Sequence, residues 1–266
     1  MPGWSVAGVK YIASVSFGKD SLAMLLKLLN EKYPLDAVVF YNTGMEFNSI
    51  YQIRDRIREI LPKYKVEFVE LVPDEPFLYS MLERKIKYRY KDGYHYGFGW
   101  CGGACRWGTS MKISAIKKYK KSLNDTVIDY VGIAADELMR FEKAKQEGKV
   151  MPLVTWGMSE QACLDYCHNM GYWWLESSSQ NGSSYVDLYS ILDNVSCWCC
   201  RNKNKKELSN IYHYLPDYWN RLRLLQSRIK EPMKKWENKQ YGKYGNIFDM
   251  ERVFIEDAKR RRGKYD

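Results

Sequence analysis

The segment Val9–Leu29 constrains the fold more than any other part of this 266-residue chain. A short β-rich run, VKYIASV, leads through the turn sequence SFGKD into a strongly helical run, SLAMLLKLL. Three more buried-type strands are expected at Leu35–Tyr41, Val66–Val72 and Val127–Ile133, with an amphipathic helix at Asn48–Ile60. Strands that alternate with helices in this way predict a parallel sheet with right-handed crossovers.

The chain after the fourth strand predicts further elements of the same layered structure. We expect a helix over Asp136–Lys145, a short fifth strand over Met151–Thr155, and a helix that Ser159 opens. The expected fold is therefore α/β, with an open, Rossmann-like sheet of five parallel strands and helices on both faces.

A basic extension follows this core. The segment Arg201–Asp266 holds 18 basic and 9 acidic side chains, and so carries most of the net charge of +10. Its apolar spacing predicts helices, so we divide the chain into a core domain with cysteine-bearing loops (residues 1–200) and a helical extension (residues 201–266). The extension also contains the aromatic residues Tyr212, Tyr214, Tyr218, Trp219, Trp236, Tyr241 and Tyr244.

Basic residues interleaved with aromatic residues suit the phosphates and bases of a nucleic acid. A solvated helical face explains the same composition, and a polyanionic substrate explains part of the charge. The extension is thus a candidate nucleic-acid interface with two simpler alternatives.

The bulk of the sequence indicates a cytoplasmic protein. No apolar run approaches the roughly 20 residues of a membrane helix, and the first residues, MPGWSVAGVKY, do not resemble a secretory signal. We therefore expect no membrane contact. Disulfides are rare in the cytoplasm, so the seven cysteines suggest metal, cluster or redox chemistry, with buried free thiols as the alternative.

The turn after the first strand has the composition of a phosphate-binding loop. Gly18 allows an anion to approach the backbone, Ser16 and Ser21 offer hydroxyls, and Lys19 adds a positive charge. The free N–H groups at the start of the following helix favour phosphate. The alternative is an ordinary turn in which Asp20 or Ser16 caps the helix.

Three segments together resemble a known family. Ser16–Ser21 is similar to the SGGKDS loop of the PP-loop superfamily, with Phe17 in place of the second-position glycine. Tyr41–Phe47 resembles the D-T-G-x-x-F segment of phosphoadenosine-phosphosulfate (PAPS) reductase-like proteins, and Gly132–Arg140 resembles their G-I-R-x-x-E-S-x-R segment. Asn42 and Ala134 depart from these patterns.

This resemblance, which covers roughly residues 9 to 200, implies a core that binds ATP or a PAPS-like adenine nucleotide. It places Lys19 and Asp20 at the reaction centre, and Asp20 and Glu137 are candidate Mg²⁺ ligands. The expected nucleotide-binding residues are Ser16, Phe17, Gly18, Lys19, Asp20, Ser21, Asn42, Thr43, Gly44 and Arg140.

Five of the cysteines fall into two groups that precede basic segments. Cys101 and Cys105 form a C-x3-C pair, and Cys197 and Cys200 form a C-x2-C pair. Four thiolates suit either zinc or a 4Fe–4S cluster, and spacing alone does not decide between them. The family resemblance favours iron–sulfur. Cys199 is the spare thiol, either a substitute ligand or a sulfur carrier with a catalytic role.

The other two cysteines, Cys163 and Cys167, lie four residues apart on one predicted helix. This spacing puts them on one face, and we expect core thiols.

Three reactions fit these residues. The first is ATP-dependent adenylation coupled to sulfur transfer, with nucleic acid as a candidate acceptor and a sulfur-donor protein as a partner. The second is reduction of PAPS or a related sulfonucleotide by a thiol. The family's usual C-terminal cysteine for that reaction has no counterpart after Cys200, so Cys199 would replace it, with a reductant protein as partner. The third is a non-catalytic nucleotide- or nucleic-acid-binding module. A homo-oligomer is compatible with each.

Overall fold

A computed structural model describes residues 8–146, 149–179 and 182–262. The strands, in chain order, are β1 (Val9–Val15), β2 (Ala37–Tyr41), β3 (Glu67–Leu71), β4 (Lys85–Lys87), β5 (Tyr94–Tyr96), β6 (Thr126–Val131), β7 (Leu175–Ser177), β8 (Tyr185–Asp187), β9 (Glu237–Asn238) and β10 (Gly242–Lys243). The α-helices are α1 (Lys19–Asn30), α2 (Asn48–Ile60), α3 (Phe77–Leu82), α4 (Lys112–Ser122), α5 (Leu138–Gln146), α6 (Pro152–Thr155), α7 (Glu160–Asn169), α8 (Leu188–Ile191), α9 (Lys205–Tyr214), α10 (Pro216–Arg228) and α11 (Ile247–Arg262). A 3₁₀ turn covers Leu61–Tyr64, and a π-helical segment covers Arg106–Met111.

The described residues divide into two compact units. The first unit comprises the chain up to Pro73 together with Gly108–Trp174. The second unit comprises Asp74–Trp107 and the chain from Leu175 onward. This division differs from the predicted boundary at residue 200, because Asp74–Trp107 and Leu175–Cys200 both group with the C-terminal helices.

A parallel sheet forms the centre of the first unit, in the order β3-β2-β1-β6. All five residues of β2 are buried, as expected for an inner strand covered on both faces. The first helix, α1, is buried along most of its length and packs against α7. The α/β class with parallel strands is thus confirmed.

The predicted fifth strand is wrong. Among the described residues the sheet has four strands, and Pro152–Thr155 forms the short helix α6. Only Val150 makes a parallel bridge, to Tyr130 of β6. Pro152 explains the change, because proline has no N–H to donate to a sheet and is favoured in the first turn of a helix.

The second unit contains the short helices α3 and α8, the three longer helices α9, α10 and α11, and short hairpins. The helices α9, α10 and α11 pack around aromatic side chains, with Trp219 5.3 Å from Tyr212 and 5.8 Å from Phe254 between ring centroids. The antiparallel pairs are β4–β5, β7–β8 and β9–β10. None of the helices in the described part of the chain is long and apolar enough to cross a membrane.

Candidate functional site

The phosphate loop lies between β1 and α1, at the carboxyl edge of the sheet where open parallel folds bind their ligands. Gly18 occupies the N-cap position of α1, and no side chain caps this helix end. The hydroxyl of Ser21 accepts from the backbone N–H of Ser16 at 3.1 Å and donates to the Gly18 carbonyl at 3.1 Å. The loop is therefore folded back on the first turn, which exposes the helix N-terminus to an anion.

Phe17 shows how the chain accommodates its departure from the glycine of similar loops. Its φ of +59° lies in the left-handed region, which costs a non-glycine residue about 1 kcal/mol. The ring is fully buried, 5.1 Å from the ring of Phe40, and the Phe17 carbonyl accepts from Trp174 Nε1 at 2.8 Å. Burial of the ring offsets the strain, so Phe17 can meet a nucleotide only through its backbone.

Lys19 is the central charge of the loop. Its ammonium group donates to both carboxylate oxygens of Asp20, at 3.0 and 3.1 Å, and to Glu160 at 2.6 Å. Burial alone would lower the pKa of Lys19, but the hydrogen bond to Glu160 and the charge of Asp20 outweigh it, so the pKa is raised. Burial raises the pKa of Asp20, against the opposing effect of Lys19. Lys19 thus stays cationic in a partly closed site.

Glu160 was not among the predicted site residues. It is the first residue of α7, where Ser159 caps the helix and Asp136 accepts from the Glu160 N–H at 3.0 Å. The sequence places Glu160 at the start of a predicted helix, where an acidic residue ordinarily indicates only a favourable interaction with the helix dipole. Tertiary contact with Lys19, 141 positions away, gives it a second role.

Gly132 fixes the distance between the loop and the neighbouring strand. It follows β6, and a Cβ atom at this position would lie 2.6 Å from Ser21 Cα and 2.7 Å from Ser21 N. Only glycine therefore lets the first turn of α1 approach this strand end so closely. The requirement is steric, because its φ is not in the left-handed region.

The turn after β2 is organised by Asn42. Its side-chain amide donates to Glu70 at 2.7 Å, and its oxygen accepts from the Gly44 N–H at 2.8 Å and from the Tyr51 hydroxyl at 3.1 Å. Aspartate, which the resemblance expects here, has no N–H to donate and would set a second carboxylate against Glu70. Asparagine at position 42 therefore suits the neighbouring Glu70, because its amide supplies the N–H that the carboxylate accepts.

Thr43 is buried in the same turn, and its hydroxyl donates to Glu46 at 2.8 Å. Gly44 takes a φ of +79°. The turn is thus preformed by its own hydrogen bonds.

Glu137 and Arg140 form an ion pair at the start of α5. Glu137 also accepts from the backbone N–H of Ala134 at 3.2 Å, and Ala134 is fully buried. Arg140 is largely exposed and can turn towards an anion. Position 134 is buried against this turn, and a buried site suits alanine better than the charged arginine that the resemblance expects.

A cavity of about 630 Å³ opens beside the loop, within the size range of small-molecule sites. Of the predicted nucleotide-binding residues, it is lined by Ser16, Ser21 and Arg140, together with Gly132. Its basic lining residues are Lys112, Lys117, Lys120, Arg140 and Lys149.

Asp129 is the acidic group of the cavity wall. It accepts from Lys120 at 2.7 Å and from Ser14 at 2.8 Å, so its charge is compensated. The lining is therefore positive overall and suits a polyanion. The other predicted nucleotide-binding residues are not among those that line this cavity in the described structure; they are Phe17, Gly18, Lys19, Asp20, Asn42, Thr43 and Gly44.

The two cysteine loops meet within the second unit. The side chain of Asn202 bonds both to the N–H and to the carbonyl of Gly103, each at 3.0 Å, and Arg201 donates to the Trp100 carbonyl at 3.4 Å. Within the second loop, the Cys200 N–H donates to the Cys197 carbonyl at 3.0 Å. The expectation that Cys101–Cys105 and Cys197–Cys200 approach one another is consistent with these bonds.

The surroundings of these cysteines are polar and cationic. Lys203 is buried against the second loop and donates to Ser196 at 3.2 Å. Burial lowers the pKa of Lys203, although Glu207 and the thiols of Cys197, Cys199 and Cys200 oppose that shift. Burial has the opposite effect on the Cys101 thiol: it raises the pKa of Cys101, while Arg106 opposes that shift. Cys199, predicted as a carrier, is only 4% exposed.

The donor chemistry of these loops fits a sulfur-ligated metal or cluster. The indole N–H groups of Trp100 and Trp107, which flank the first cysteine pair, are buried without a hydrogen-bond partner in the described part of the chain and could donate to sulfur. Within residues 8–146, 149–179 and 182–262, however, no three cysteine, histidine or acidic side chains converge as metal ligands. Asp20 and Glu137 likewise belong to no such group among the described residues, although their carboxylate oxygens are of the type that Mg²⁺ prefers.

Cys163 and Cys167 are core thiols, as predicted. Both are fully buried in α7, and burial raises the pKa of Cys163 to about 12. Cys167 donates to the carbonyl of Lys19 at 3.4 Å, so its thiol is bonded to the backbone of the phosphate loop.

Three of the seven aromatic residues of the basic extension are buried and so are not available to stack on bases. Tyr218, Trp219 and Tyr244 are between 3% and 6% exposed and belong to the core of the second unit. The simpler alternative, a solvated helical face over a packed core, explains most of this segment. Tyr214 is 47% exposed, and Tyr212, Trp236 and Tyr241 are half-buried.

Residues 10–170 match the sequence profile of the phosphoadenosine phosphosulfate reductase domain. The chain belongs to this family. The match contains the phosphate loop, the Asn42 turn and the Gly132–Arg140 segment, so the resemblance read from the sequence is confirmed. It supports binding of an adenine nucleotide and a sulfur-related enzymatic activity for this PAPS reductase-family protein.

No curated protein matches the chain. Among solved structures, the U34-tRNA thiolase NcsA from Methanococcus maripaludis with its 4Fe–4S cluster is similar, at 14% sequence identity and a TM-score of 0.41. The similarity covers 62% of this chain and 58% of that chain, so less than two thirds of that thiolase is matched.

Proposed function

We propose that this protein binds ATP at the phosphate loop and couples its cleavage to sulfur transfer. The observation that carries the proposal is the cationic cavity at the start of α1, which Ser16, Ser21 and Arg140 line. The Lys19 ammonium lies in the same loop, held between Asp20 and Glu160. Helix N-terminus, hydroxyls and ammonium together suit the phosphates of a nucleotide, and Arg140 is placed to add a further contact.

The proposed reaction has two steps. An acceptor oxygen attacks the α-phosphorus, the bond to the bridging oxygen breaks, and pyrophosphate leaves with the electron pair while the acceptor proton passes to solvent. Sulfide supplied by a donor protein then attacks the acceptor carbon, the carbon–oxygen bond breaks, and AMP leaves with the acceptor oxygen. Lys19 stabilises the charge that develops on the phosphates.

A magnesium ion, when bound, would further neutralise the phosphates. Asp20 and Glu137 are the carboxylates that could hold it. The residues Cys101, Cys105, Cys197 and Cys200 would hold an iron–sulfur cluster, or zinc, in the second unit. Such a cluster would supply electron transfer or a sulfur-binding iron.

Reduction of a sulfonucleotide is the second candidate, and the family match favours it. In that reaction a thiolate attacks the sulfonate sulfur and the nucleotide phosphate leaves, after which a dithiol reductant releases sulfite. Cys199 is the thiol left for this role, and at 4% exposure it would have to become accessible before it could react. This requirement places reduction second.

Product analysis separates these reactions. Anaerobically purified protein is incubated with α-labelled ATP, Mg²⁺, sulfide and total RNA, and in parallel with labelled PAPS and a dithiol. AMP with pyrophosphate supports the first proposal, whereas sulfite from PAPS supports reduction. ADP with phosphate contradicts both. Nucleotide binding without any product supports the non-catalytic alternative. The Lys19→Ala variant, purified identically, controls for contaminating ATPases.

A further inference from the structure

The hairpin formed by β4 and β5 has two chemically different faces. Lys85 pairs with Tyr96, Ile86 with His95, and Lys87 with Tyr94. Because side chains alternate along a strand, the two lysines and two tyrosines share one face, and Ile86 and His95 share the other. The first face is exposed and the second is half-buried. We refer to residues Lys85–Tyr96 as the tyrosine hairpin.

Positive charge is concentrated on the tyrosine hairpin. Four basic side chains stand against the single acidic residue Asp92, and none has a carboxylate within 4.0 Å in the described structure. These basic residues are Lys85, Lys87, Arg89 and Lys91. Arg84, just outside the hairpin, pairs instead with Glu75 at 2.7 Å. The hairpin charge therefore faces solvent without internal compensation, which favours a polyanionic partner.

The aromatic rings of the hairpin are accessible, in contrast to those of the C-terminal helices. Tyr90 is 87% exposed, Tyr94 53% and Tyr96 69%. The ammonium of Lys85 lies 4.2 Å from the centroid of Tyr94, and that of Lys91 lies 4.2 Å from the centroid of Tyr88. Rings interleaved with cations form the arrangement in which bases stack while the backbone phosphates meet positive charge.

The hairpin is held firmly to the rest of the second unit. Gly97 donates to the Arg84 carbonyl at 2.8 Å, and Gly99 donates to Met81 at 2.9 Å. Gly97 has a φ of +68°, and a Cβ there would lie 2.2 Å from the Met81 carbonyl oxygen. A platform fixed in this way loses little conformational entropy when it binds a partner.

Lysines on short exposed strands also have a simpler explanation, because they discourage edge-to-edge pairing of sheets. That explanation covers Lys85 and Lys87. It does not cover Tyr90, Tyr94 and Tyr96, whose exposed rings would favour association rather than prevent it. Charge and rings together favour a partner that contacts both.

We propose that the tyrosine hairpin binds an unpaired stretch of RNA. Exposed rings stack on bases only where these are not already stacked in a duplex, which indicates a single strand. The tyrosine hydroxyls on the same face can bond to the 2′-hydroxyl, which RNA has and DNA lacks, so RNA is the expected strand. This binding does not require ATP cleavage, and its failure would leave the proposed reaction untouched.

Fluorescence anisotropy of the full-length protein with labelled twelve-nucleotide oligo(U) tests the proposal at low salt. The double variant Y94A/Y96A should bind at least about thirtyfold more weakly, because two stacking contacts are lost. The matched control is Tyr185→Ala, which removes an exposed tyrosine from the β7–β8 hairpin of the same unit and should leave affinity unchanged. Equal affinity of Y94A/Y96A and the native protein would overturn the proposal.

Two further variants test the charge and the hydroxyls. K85Q/K87Q should reduce the slope of log affinity against log salt by about 1.4, the value for two lost single-strand phosphate contacts. K63Q/K65Q removes the same charge from two exposed lysines of the first unit and should leave the slope unchanged. Y94F/Y96F keeps the rings and the fold, and should abolish the preference for oligo(U) over oligo(dT). Native protein that binds oligo(dT) or duplex RNA as tightly as oligo(U) would overturn the assignment to unpaired RNA.

Discussion

The phosphate loop of the first unit and the cysteine loops of the second unit represent two ways of building a site. In the phosphate loop, Ser21 ties the turn to the helix, so the N–H groups at the start of α1 are already oriented for an anion. Lys19 is held in place by two carboxylate partners. In the cysteine loops, Asn202 and Arg201 join the two segments, yet three ligands do not converge in the described structure.

The difference follows from the chemistry of the two ligands. Phosphate is bound by N–H groups that the helix orients in any case. Thiolates repel one another, so a thiolate site gains its final geometry together with the metal that neutralises it. The two sites should therefore respond independently to mutation.

The largest effect is expected for Lys19→Ala. Loss of the ammonium removes a phosphate contact and leaves Asp20 and Glu160 facing the anion, so ATP affinity should fall about 100-fold. Isothermal titration calorimetry measures this. Lys27→Ala breaks another Lys–Glu pair on the same helix and should leave affinity within about twofold. Because Lys19 is buried, circular dichroism must first show a folded variant. Unchanged affinity in a folded Lys19→Ala protein would remove the loop from the site.

Cys197→Ser is expected to have a large effect on metal content and none on ATP affinity. If the four cysteines hold iron, anaerobically purified variant protein should contain several-fold less iron and sulfide, because losing a ligand typically weakens metal affinity by more than tenfold. ATP affinity should not change. Cys163→Ala, which also removes one thiol, should keep the full metal content. Metal lost equally from both variants, or absent from the native protein, would contradict the ligand assignment.

An intermediate effect is expected for Gly132→Ala. The added Cβ forces Ser21 and the start of α1 to shift, which should lower stability by about 2 kcal/mol and the melting temperature by about 4–8 °C. ATP affinity should fall about tenfold. Gly157→Ala separates the two causes, since Gly157 has a φ of +62° and open space around it. That variant should lose stability and keep its affinity. Equal affinity loss in both would show a general effect of destabilisation.

The smallest effect is expected for Asn42→Asp. Above pH 5 the new carboxylate would face Glu70 without an N–H to donate, which should cost about 1 kcal/mol and lower the melting temperature by about 2–4 °C. Adding Glu70→Gln should restore most of this loss, because the amide again supplies a donor. Thermal denaturation of the single and double variants measures the coupling. A double variant that is no more stable than N42D would show that Glu70 does not select asparagine.

Much of the first unit could be predicted from the sequence because its signals are local. The loop SFGKDS, the four strands and the helix Asn48–Ile60 all follow from patterns within single segments. The predicted fifth strand failed because Met151–Thr155 is apolar in a way that suits either structure, and Pro152 decided for the helix. Glu160 and Gly132 could not be identified as site residues, since their roles depend on contacts with Lys19 and Ser21 from distant segments.

The second unit was harder to predict because its composition misleads. Tyr218 and Trp219 lie among basic residues, and only the packing of three helices shows that they are core residues. The strands of the tyrosine hairpin are not predicted from the sequence, because strands of three residues give too short an alternation to recognise. Only the pairing register of β4 and β5 shows that the lysines and tyrosines of the hairpin share one face.

The discontinuity of the second unit has a consequence for biosynthesis. Its first segment, Asp74–Trp107, leaves the ribosome before the first unit is complete, and its partner segment begins only at Leu175. At about 5–20 residues per second, the roughly 70 intervening residues take several seconds to synthesise. During that interval Phe77, Trp100 and Trp107 have no finished core in which to bury their rings. The nascent chain therefore presents an aromatic segment to chaperones, and slower translation between the two segments would lengthen this exposure.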